Sequence, residues 1–176
     1  IYQCDWSSDV CSSDLPSFVR HFEEYASDCI ARFTPPLGAL AIDIGSNDGT
    51  LLQFFKVAGM EVLGIDPARQ IAAAATARGL ETWPEFLNAD MTKKILRDKG
   101  PASLIAANNV FAHVDDLSGL TDCIRNLLTS DGVFIFEVSY AADVHEHVLF
   151  DTIYHEHLDY HTVAPLVGFF EAHGLE

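Results

Sequence analysis

Apolar residues recur along the chain in two alternating patterns. Between residues 18 and 33 they return every three or four positions, which predicts an amphipathic helix that ends before Pro35 and Pro36. Residues 39–44 form a short and largely apolar run instead. Such a run is typical of a strand that is buried on both faces of a parallel sheet.

The same alternation continues toward the carboxyl end. It predicts further helices over residues 50–58, 68–78, 92–99, 117–128 and 165–173, and further strands over residues 61–65, 81–86, 103–107 and 133–138. Asp131 and Gly132 are a turn signal before the last of these strands. Strands that alternate with helices at this spacing predict an α/β fold with a doubly wound, mostly parallel sheet.

The two ends of the chain depart from this pattern. Residues 1–14 contain four serines, three aspartates and two of the four cysteines without any periodicity, and the string is similar to translated sequencing adapter, so we expect a non-native leader. Leu175 and Glu176 are predicted to open another strand. We therefore expect one partial domain over residues 15–176 that is truncated at its carboxyl end.

Charge narrows the range of partners. The 176 residues include 26 acidic and 10 basic side chains, for a net charge of -16, and such a surface repels nucleic acid. No segment approaches the roughly 20 apolar residues of a membrane span, and no basic flank followed by an apolar run marks a signal peptide in these residues. The cysteines lack the paired spacing of a metal site or a disulfide framework. We expect a cytoplasmic protein that binds neither nucleic acid, membrane nor metal.

The turn after the first predicted strand carries candidate chemistry. It reads Asp43-Ile44-Gly45-Ser46-Asn47-Asp48-Gly49, a D-x-G-x-x-x-G pattern. The pattern matches neither the P-loop, nor the dinucleotide fingerprint, nor an EF-hand calcium loop. Ligands of doubly wound sheets bind at the carboxyl ends of the strands. We therefore predict that the ligand site includes Asp43, Gly45, Ser46, Asn47, Asp48 and Gly49.

Asp66 indicates which ligand this turn suits. It ends the second predicted strand, 23 positions after Asp43, and a carboxylate at about this interval contacts ribose hydroxyls. A turn without phosphate-binding geometry, followed by such a carboxylate, suits a nucleoside that lacks a pyrophosphate. S-adenosyl-L-methionine is the commonest cofactor of this kind. Asn108 and Asn109, at the tip of the fourth predicted strand, are expected to face the same ligand.

A purely structural interpretation stays open for both groups. Gly45 and Gly49 also permit a tight turn between strand and helix, with Asp48 capping that helix. Asn108 and Asn109 also suit a turn in which the side chains bind their own backbone.

Four segments together resemble the S-adenosylmethionine-dependent C-methyltransferases that branch nucleotide-activated deoxysugars. They are residues 43–52, 64–67, 108–114 and 153–158, and the Tyr154-His155-Glu156-His157 string is more specific to this family than the glycine turn. The resemblance implies a Rossmann-like class I methyltransferase fold. It also implies methyl transfer to the carbon beside the ketone of a nucleotide-linked deoxysugar. Family members carry a zinc-binding cysteine module before this core and a second domain after it, and neither is recognisable here.

The resemblance also implies the catalytic residues: His157 is the base, and Glu156 and Tyr154 assist it. Methylation of carbon requires removal of a proton next to a ketone, and imidazole is the side chain that titrates near neutral pH. A neighbouring carboxylate can orient the ring. A phenol can donate a hydrogen bond to the developing enolate oxygen.

Two other interpretations of the histidine segment are kept. His155, His157 and His161, with Asp159, form H-x-H-x-D-x-H, which is one residue away from the zinc-binding run of metallo-β-lactamase-like hydrolases. The alternative function is therefore a zinc-dependent hydrolase. A third possibility is an inactive cofactor-binding remnant. His145, Glu146 and His147 are interpreted as solvated residues of a polar connection.

Overall fold

The computed structural model describes residues 15–150, 153 and 157–176. The helices are α1 (Pro16–Phe33), α2 (Thr50–Val57), α3 (Arg69–Ala77), α4 (Ala89–Asp98), α5 (Leu117–Leu127), α6 (Ala141–Glu146) and α7 (Val163–Ala172). The strands are β1 (Leu40–Ile44), β2 (Glu61–Ile65), β3 (Thr82–Trp83), β4 (Ala102–Asn108) and β5 (Leu128–Glu137), and a 3₁₀ helix covers Phe111–His113. Within the described ranges, no helix combines the length and the apolar character that a membrane crossing needs.

The described strands form one sheet in the order β3-β2-β1-β4-β5. β1 and β2 run parallel, with Leu40 opposite Glu61 and Ile44 opposite Ile65. β2 is also parallel to β3, and β4 is parallel to β5. This topology confirms the predicted α/β fold with a parallel sheet. By compactness the chain divides into two units, Ile1–Glu85 and Phe86–Glu176, which are described separately.

In the first unit, α2 packs against β1 and β2, and α3 packs against β3. β1 is buried along its whole length, and Leu51, Leu52 and Phe55 are the buried residues of α2. Leu52 belongs to a buried cluster with Ala75 and Leu80. A fully buried leucine or phenylalanine side chain contributes about 1.5–3 kcal/mol to folding. The strand ends that precede Gly45 and Asp66 are therefore fixed by a closely packed core.

The second unit has an aromatic core formed by residues of the 3₁₀ helix, β5 and α7. Phe111 is fully buried, and its ring centroid lies 5.1 Å from that of Phe136 and 5.6 Å from that of Phe134. Phe170 of α7 closes the group, 6.0 Å from Phe111. These contacts fix the 3₁₀ helix immediately after β4.

Two predicted boundaries were wrong in this structure. Strand β3 covers two residues and ends at Trp83, because the chain turns there: the N–H of Glu85 donates to the carbonyl of Trp83 at 2.9 Å instead of continuing the ladder with β2. Helix α4 begins at Ala89 and not at residue 92, because the Asn88 side chain accepts hydrogen bonds from the backbone N–H groups of Asp90 and Met91.

The predicted turn at Asp131 and Gly132 was also wrong. Both residues lie inside β5, which begins at Leu128. The register shifts between the pair Ala102 and Leu128 and the pair Leu104 and Val133, so β5 absorbs the extra residues as an irregularity within the ladder. Helix α6 was not predicted, because it is short and has no side-chain cap to mark its start.

Candidate active site

The glycine turn (residues 45–49) folds back over the end of β2. The N–H of Gly45 donates to the carbonyl of Ile65 at 2.8 Å. Three of its five residues have left-handed backbone: Gly45 (φ 72°), Asn47 (φ 49°) and Gly49 (φ 82°). Glycine adopts this conformation without steric cost, and asparagine tolerates it better than most residues. The sequence therefore permits a sharp turn at the carboxyl ends of β1 and β2.

Asp66 joins the turn to the end of β2. One of its carboxylate oxygens accepts from the N–H of Asn47 and the other from the N–H of Ala68, both at 2.8 Å. Burial raises the pKa of Asp66 above its ordinary value, and the two backbone hydrogen bonds act against that shift. The predicted ribose carboxylate thus also holds the glycine turn, and each oxygen keeps a lone pair for a ligand hydroxyl.

Asp43 is the second carboxylate of this group. It is buried in β1, opposite Gly64 of β2. Burial raises the pKa of Asp43 well above its ordinary value, and the negative charge of Asp66 raises it further. The site therefore contains two buried carboxyl groups, and the negative charge of one opposes ionisation of the other.

The raised pKa of Asp43 predicts a specific effect of pH on stability. The folded state holds the Asp43 proton more tightly than the unfolded chain, whose ordinary value is 3.8, so the stability from this group is lost as pH rises above that value. We expect Asp43→Asn to raise the free energy of unfolding near neutral pH, by an amount that shrinks toward about pH 4. Urea unfolding of both proteins across this range measures the difference. A constant difference at all pH values contradicts the prediction.

Ser46 provides a test of whether a nucleoside fits the turn. Its hydroxyl oxygen is buried, and no group among the described residues makes a hydrogen bond with it. Buried hydroxyl groups nearly always have a partner. An unmatched hydroxyl in the turn that Asp66 holds suits a ligand that has both donors and acceptors, as a ribose and an amino acid group do. The residues present therefore fit S-adenosylmethionine.

Gly64 makes room for this arrangement. A Cβ atom at Gly64 would lie 2.5 Å from Ser46 Oγ and 2.6 Å from Thr82 Oγ1. Thr82 cannot turn away freely, because its hydroxyl donates to the carbonyl of Leu80 at 3.0 Å. The turn, β2 and β3 consequently meet at a position where only glycine fits.

Gly64→Ala is expected to destabilise the protein by about 1–3 kcal/mol, since the added methyl group overpacks a buried site. Urea unfolding measures this loss. Gly168→Ala is the matched control: no heavy atom lies within 4 Å of a Cβ there, and alanine favours the α7 helix by about 0.5–1 kcal/mol. Equal urea midpoints for Gly64→Ala and the parent contradict the proposed close contact.

Asp48 acts at the start of α2. Its carboxylate accepts from the N–H of Thr50 at 3.2 Å and from the Thr50 hydroxyl at 2.7 Å. The N-cap residue of α2 is Gly49, so Asp48 is not the predicted cap; it binds the first residue of the helix, Thr50, from the position before the cap. Contact of Asp48 with a ligand stays a prediction.

Asn108 ends β4 in the second unit, and Asn109 follows it in a turn. Asn108 is half-buried, while Asn109 is exposed and has a left-handed backbone (φ 56°). The N–H of Asn109 donates to the carbonyl of Glu137 at 2.7 Å, which connects the ends of β4 and β5. The turn interpretation fits Asn109, and a cofactor contact of either residue stays a prediction.

His157 lies against the 3₁₀ helix that follows these asparagines. Its ring centroid is 4.9 Å from that of His113 and 5.8 Å from that of Tyr160. The backbone is fixed as well, because the N–H of Leu158 donates to the carbonyl of Ala112 at 2.7 Å. Sequence reasoning missed His113, although it lies within one of the segments that carry the resemblance. The structure thus forms a histidine pair, His113 and His157.

The other predicted catalytic residues, Tyr154 and Glu156, lie outside the described residues, as does His155. Within the described ranges, neither His157 nor His161 of the proposed zinc set belongs to a group of three or more potential metal ligands. The potential ligands that do group there are Asp143, Glu146 and His147, all exposed on and beside α6. The described part of the histidine run therefore gives no support to a zinc site.

Comparison with known proteins assigns the family. A family model described as a methyltransferase domain matches residues 18–176. The chain belongs to the methyltransferase domain family. This domain is 37% identical over 164 residues to the C-methyltransferase NovU of Streptomyces niveus. The aligned region covers 93% of the chain and 39% of NovU. The methyltransferase domain thus spans well under half the length of this relative, and the match does not favour the zinc hydrolase interpretation.

Solved structures agree with the fold of the methyltransferase domain. One is the complex between the Trm112 methyltransferase activator of Haloferax volcanii and a methyltransferase (TM-score 0.68, 18% identity, covering 90% of this chain and 73% of that chain). Another is an S-adenosylmethionine-dependent methyltransferase from Clostridium acetobutylicum (TM-score 0.57, 16% identity, 78% and 56% covered). The family and the fold together support S-adenosylmethionine as the cofactor.

Proposed function

We propose that this domain binds S-adenosylmethionine and supports methyl transfer to the carbon beside the ketone of a nucleotide-linked deoxysugar. The observation that carries the proposal is the 37% identity to a C-methyltransferase over 93% of the chain. The proposal of a sugar and a nucleotide in the substrate rests on the resemblance of the Tyr154–His157 string to the deoxysugar C-methyltransferases. The full activity belongs to a longer protein, since this relative extends well beyond the matched region.

The first unit supplies the cofactor-binding residues. Asp66 accepts from ribose hydroxyls, while its bonds to Asn47 and Ala68 keep the carboxylate in place. The Ser46 hydroxyl gains the partner that it lacks, and the exposed left-handed Gly45 lets a ligand approach the backbone closely. When bound, S-adenosylmethionine supplies an electrophilic methyl group on a sulfonium. The protein's own contribution is orientation of the reacting groups.

The second unit supplies the base. His157 removes the proton from the carbon beside the ketone, and the electron pair of that bond moves toward the ketone oxygen as an enolate. His113 packs against the imidazole of His157 and restricts its orientation. Glu156 stabilises the imidazolium, and Tyr154 donates a hydrogen bond to the enolate oxygen. Asn108 and Asn109 hold the cofactor from the tip of β4.

The partner is a nucleotide-activated sugar, and we place the protein in the cytoplasm. Cys29 and Cys123 support a reducing compartment, because both are buried free thiols. Burial and the neighbouring Asp28 raise the pKa of the Cys29 thiol to about 11, so it stays protonated and unreactive.

Calorimetry with S-adenosylhomocysteine tests the cofactor proposal on the chain itself. We expect saturable heat with a dissociation constant below about 1 mM, or more than about 4 kcal/mol of binding free energy. A folded protein that gives no heat at millimolar ligand contradicts cofactor binding. If the longer protein binds S-adenosylhomocysteine but transfers no methyl group, the interpretation as an inactive cofactor-binding remnant is favoured over that as an enzyme.

A further inference from the structure

The short connection between α3 and β3 contacts the glycine turn. This α3–β3 connector (residues 78–80) is itself fixed: the N–H of Gly79 donates to Thr76 at 2.9 Å and the N–H of Leu80 donates to Ala75 at 3.0 Å. Leu80 is buried in the cluster with Leu52 and Ala75. Leu80 therefore anchors the connector in the core, while Arg78 and Gly79 are exposed.

Two residues of the connector contact the glycine turn. The guanidinium of Arg78 donates to the carbonyl oxygen of Asp48, and Arg78 Nη2 lies 3.2 Å from Asp48 Oδ2. Leu80 fills the space beside Gly49, where a Cβ atom would lie 2.8 Å from Leu80 Cδ1. The Arg78 guanidinium therefore contacts both the main chain and the side chain of Asp48. Leu80 occupies the space into which Gly49 would have to move to shift toward the core.

These contacts complete a two-sided restraint. Asp66 accepts from the N–H of Asn47, and Arg78 binds the next residue along the chain, Asp48. Asn47 itself has a left-handed backbone (φ 49°), a conformation that costs free energy in a residue other than glycine. Such a conformation persists when the surroundings determine it. The two charged contacts come from different elements and fix consecutive residues of the turn.

We infer that Arg78 is a positioning residue for the cofactor turn. This inference rests on the proposed function, because the turn is the proposed cofactor site. Arg78 acts through Asp48 and not by contact with the cofactor. Its side chain is 51% exposed, so its removal leaves no cavity in the core. Exposed ion pairs add little to global stability, whereas a local restraint changes how often the turn is in its binding conformation.

Hydrogen exchange of the ligand-free protein tests the restraint directly. In Arg78→Ala we expect the amides of residues 45–50 to exchange about three- to tenfold faster than in the parent, because the turn opens locally. Arg97→Ala is the matched control, since Arg97 pairs with its neighbour Asp98 on α4. We expect parent exchange in this control and unchanged urea midpoints in both variants. Equal exchange of the turn in Arg78→Ala and the parent overturns the inference.

Calorimetry with S-adenosylhomocysteine tests the consequence for binding. Arg78→Ala is expected to bind about three- to tenfold more weakly, and Arg78→Lys to recover part of the loss, because lysine keeps the charge but not the second hydrogen bond. High salt should weaken the parent more than Arg78→Ala. Faster exchange with unchanged affinity and no salt effect overturns the positioning role. A parent that does not bind refutes the proposed function instead, and exchange still decides whether Arg78 restrains the turn.

Discussion

Asp66→Ala is expected to weaken the binding of S-adenosylhomocysteine more than any other single change in the first unit. It removes the proposed ribose contact and leaves the N–H groups of Asn47 and Ala68 without their acceptors. Hydrogen bonds to charged groups contribute about 1.5–3 kcal/mol each, so we expect a loss of at least about tenfold in affinity. Calorimetry of the parent and the variant measures this loss.

Asp66→Asn separates the two contributions of this side chain. Its single carbonyl oxygen can accept from one backbone N–H, while its amide group cannot accept from the other. We expect an intermediate affinity. Asp90→Ala is the control, because Asp90 is an exposed carboxylate that pairs with Lys93 on α4. An Asp66→Ala variant that is folded and binds like the parent removes Asp66 from the cofactor site.

His157→Asn is expected to abolish proton removal from the sugar. This experiment uses the longer protein with the ketosugar bound and no methyl donor, because a working base then exchanges the proton beside the ketone for deuterium from solvent. General base catalysis contributes about 10²–10⁴-fold, so exchange should fall by at least about 100-fold. S-adenosylhomocysteine affinity should stay near that of the parent, because the proposed role of His157 is on the sugar and not on the cofactor.

Two further histidine variants make this assignment specific. His147→Asn changes an exposed histidine after α6 and should exchange at the parent rate. His113→Asn should slow exchange less than His157→Asn and change its pH profile, because it alters the surroundings of the His157 ring. Deuterium incorporation at the parent rate in His157→Asn disproves its role as the base. His155, or a residue beyond this chain, then becomes the candidate.

The fold could be predicted where a strand is buried on both faces. β1 and β4 are such strands, and their apolar runs marked them within one or two residues. The short β3 could not be delimited, because its extent depends on the pairing of Gly64 with Thr82 and on the turn in which the N–H of Glu85 donates to Trp83. The irregularity in β5 was missed because Asp131-Gly132 has the local chemistry of a turn, and only pairing with β4 keeps it in the strand.

The candidate site shows the same division. Asp66 was identifiable, because its spacing from Asp43 reflects one strand-helix-strand unit. The contacts of Arg78 and His113 were not, because each depends on how separate elements pack. Arg78 lies 30 positions from Asp48, and no spacing rule connects them. Asn88 is a different case, since an asparagine directly before a helical stretch is a capping signal that the sequence itself contained.

The missing Cβ atoms of Gly49 and Gly64 bear on any attempt to transplant this turn into another protein. The space at Gly49 is occupied by Leu80, and the space at Gly64 by Ser46 and Thr82. A graft of residues 43–50 alone would bring the glycines without the side chains that fit around them. The smallest transferable piece therefore runs from β1 to the end of β3, residues 40–83. An engineer who wanted this binding turn in a new scaffold would have to move two strand-helix units and a third strand as one block.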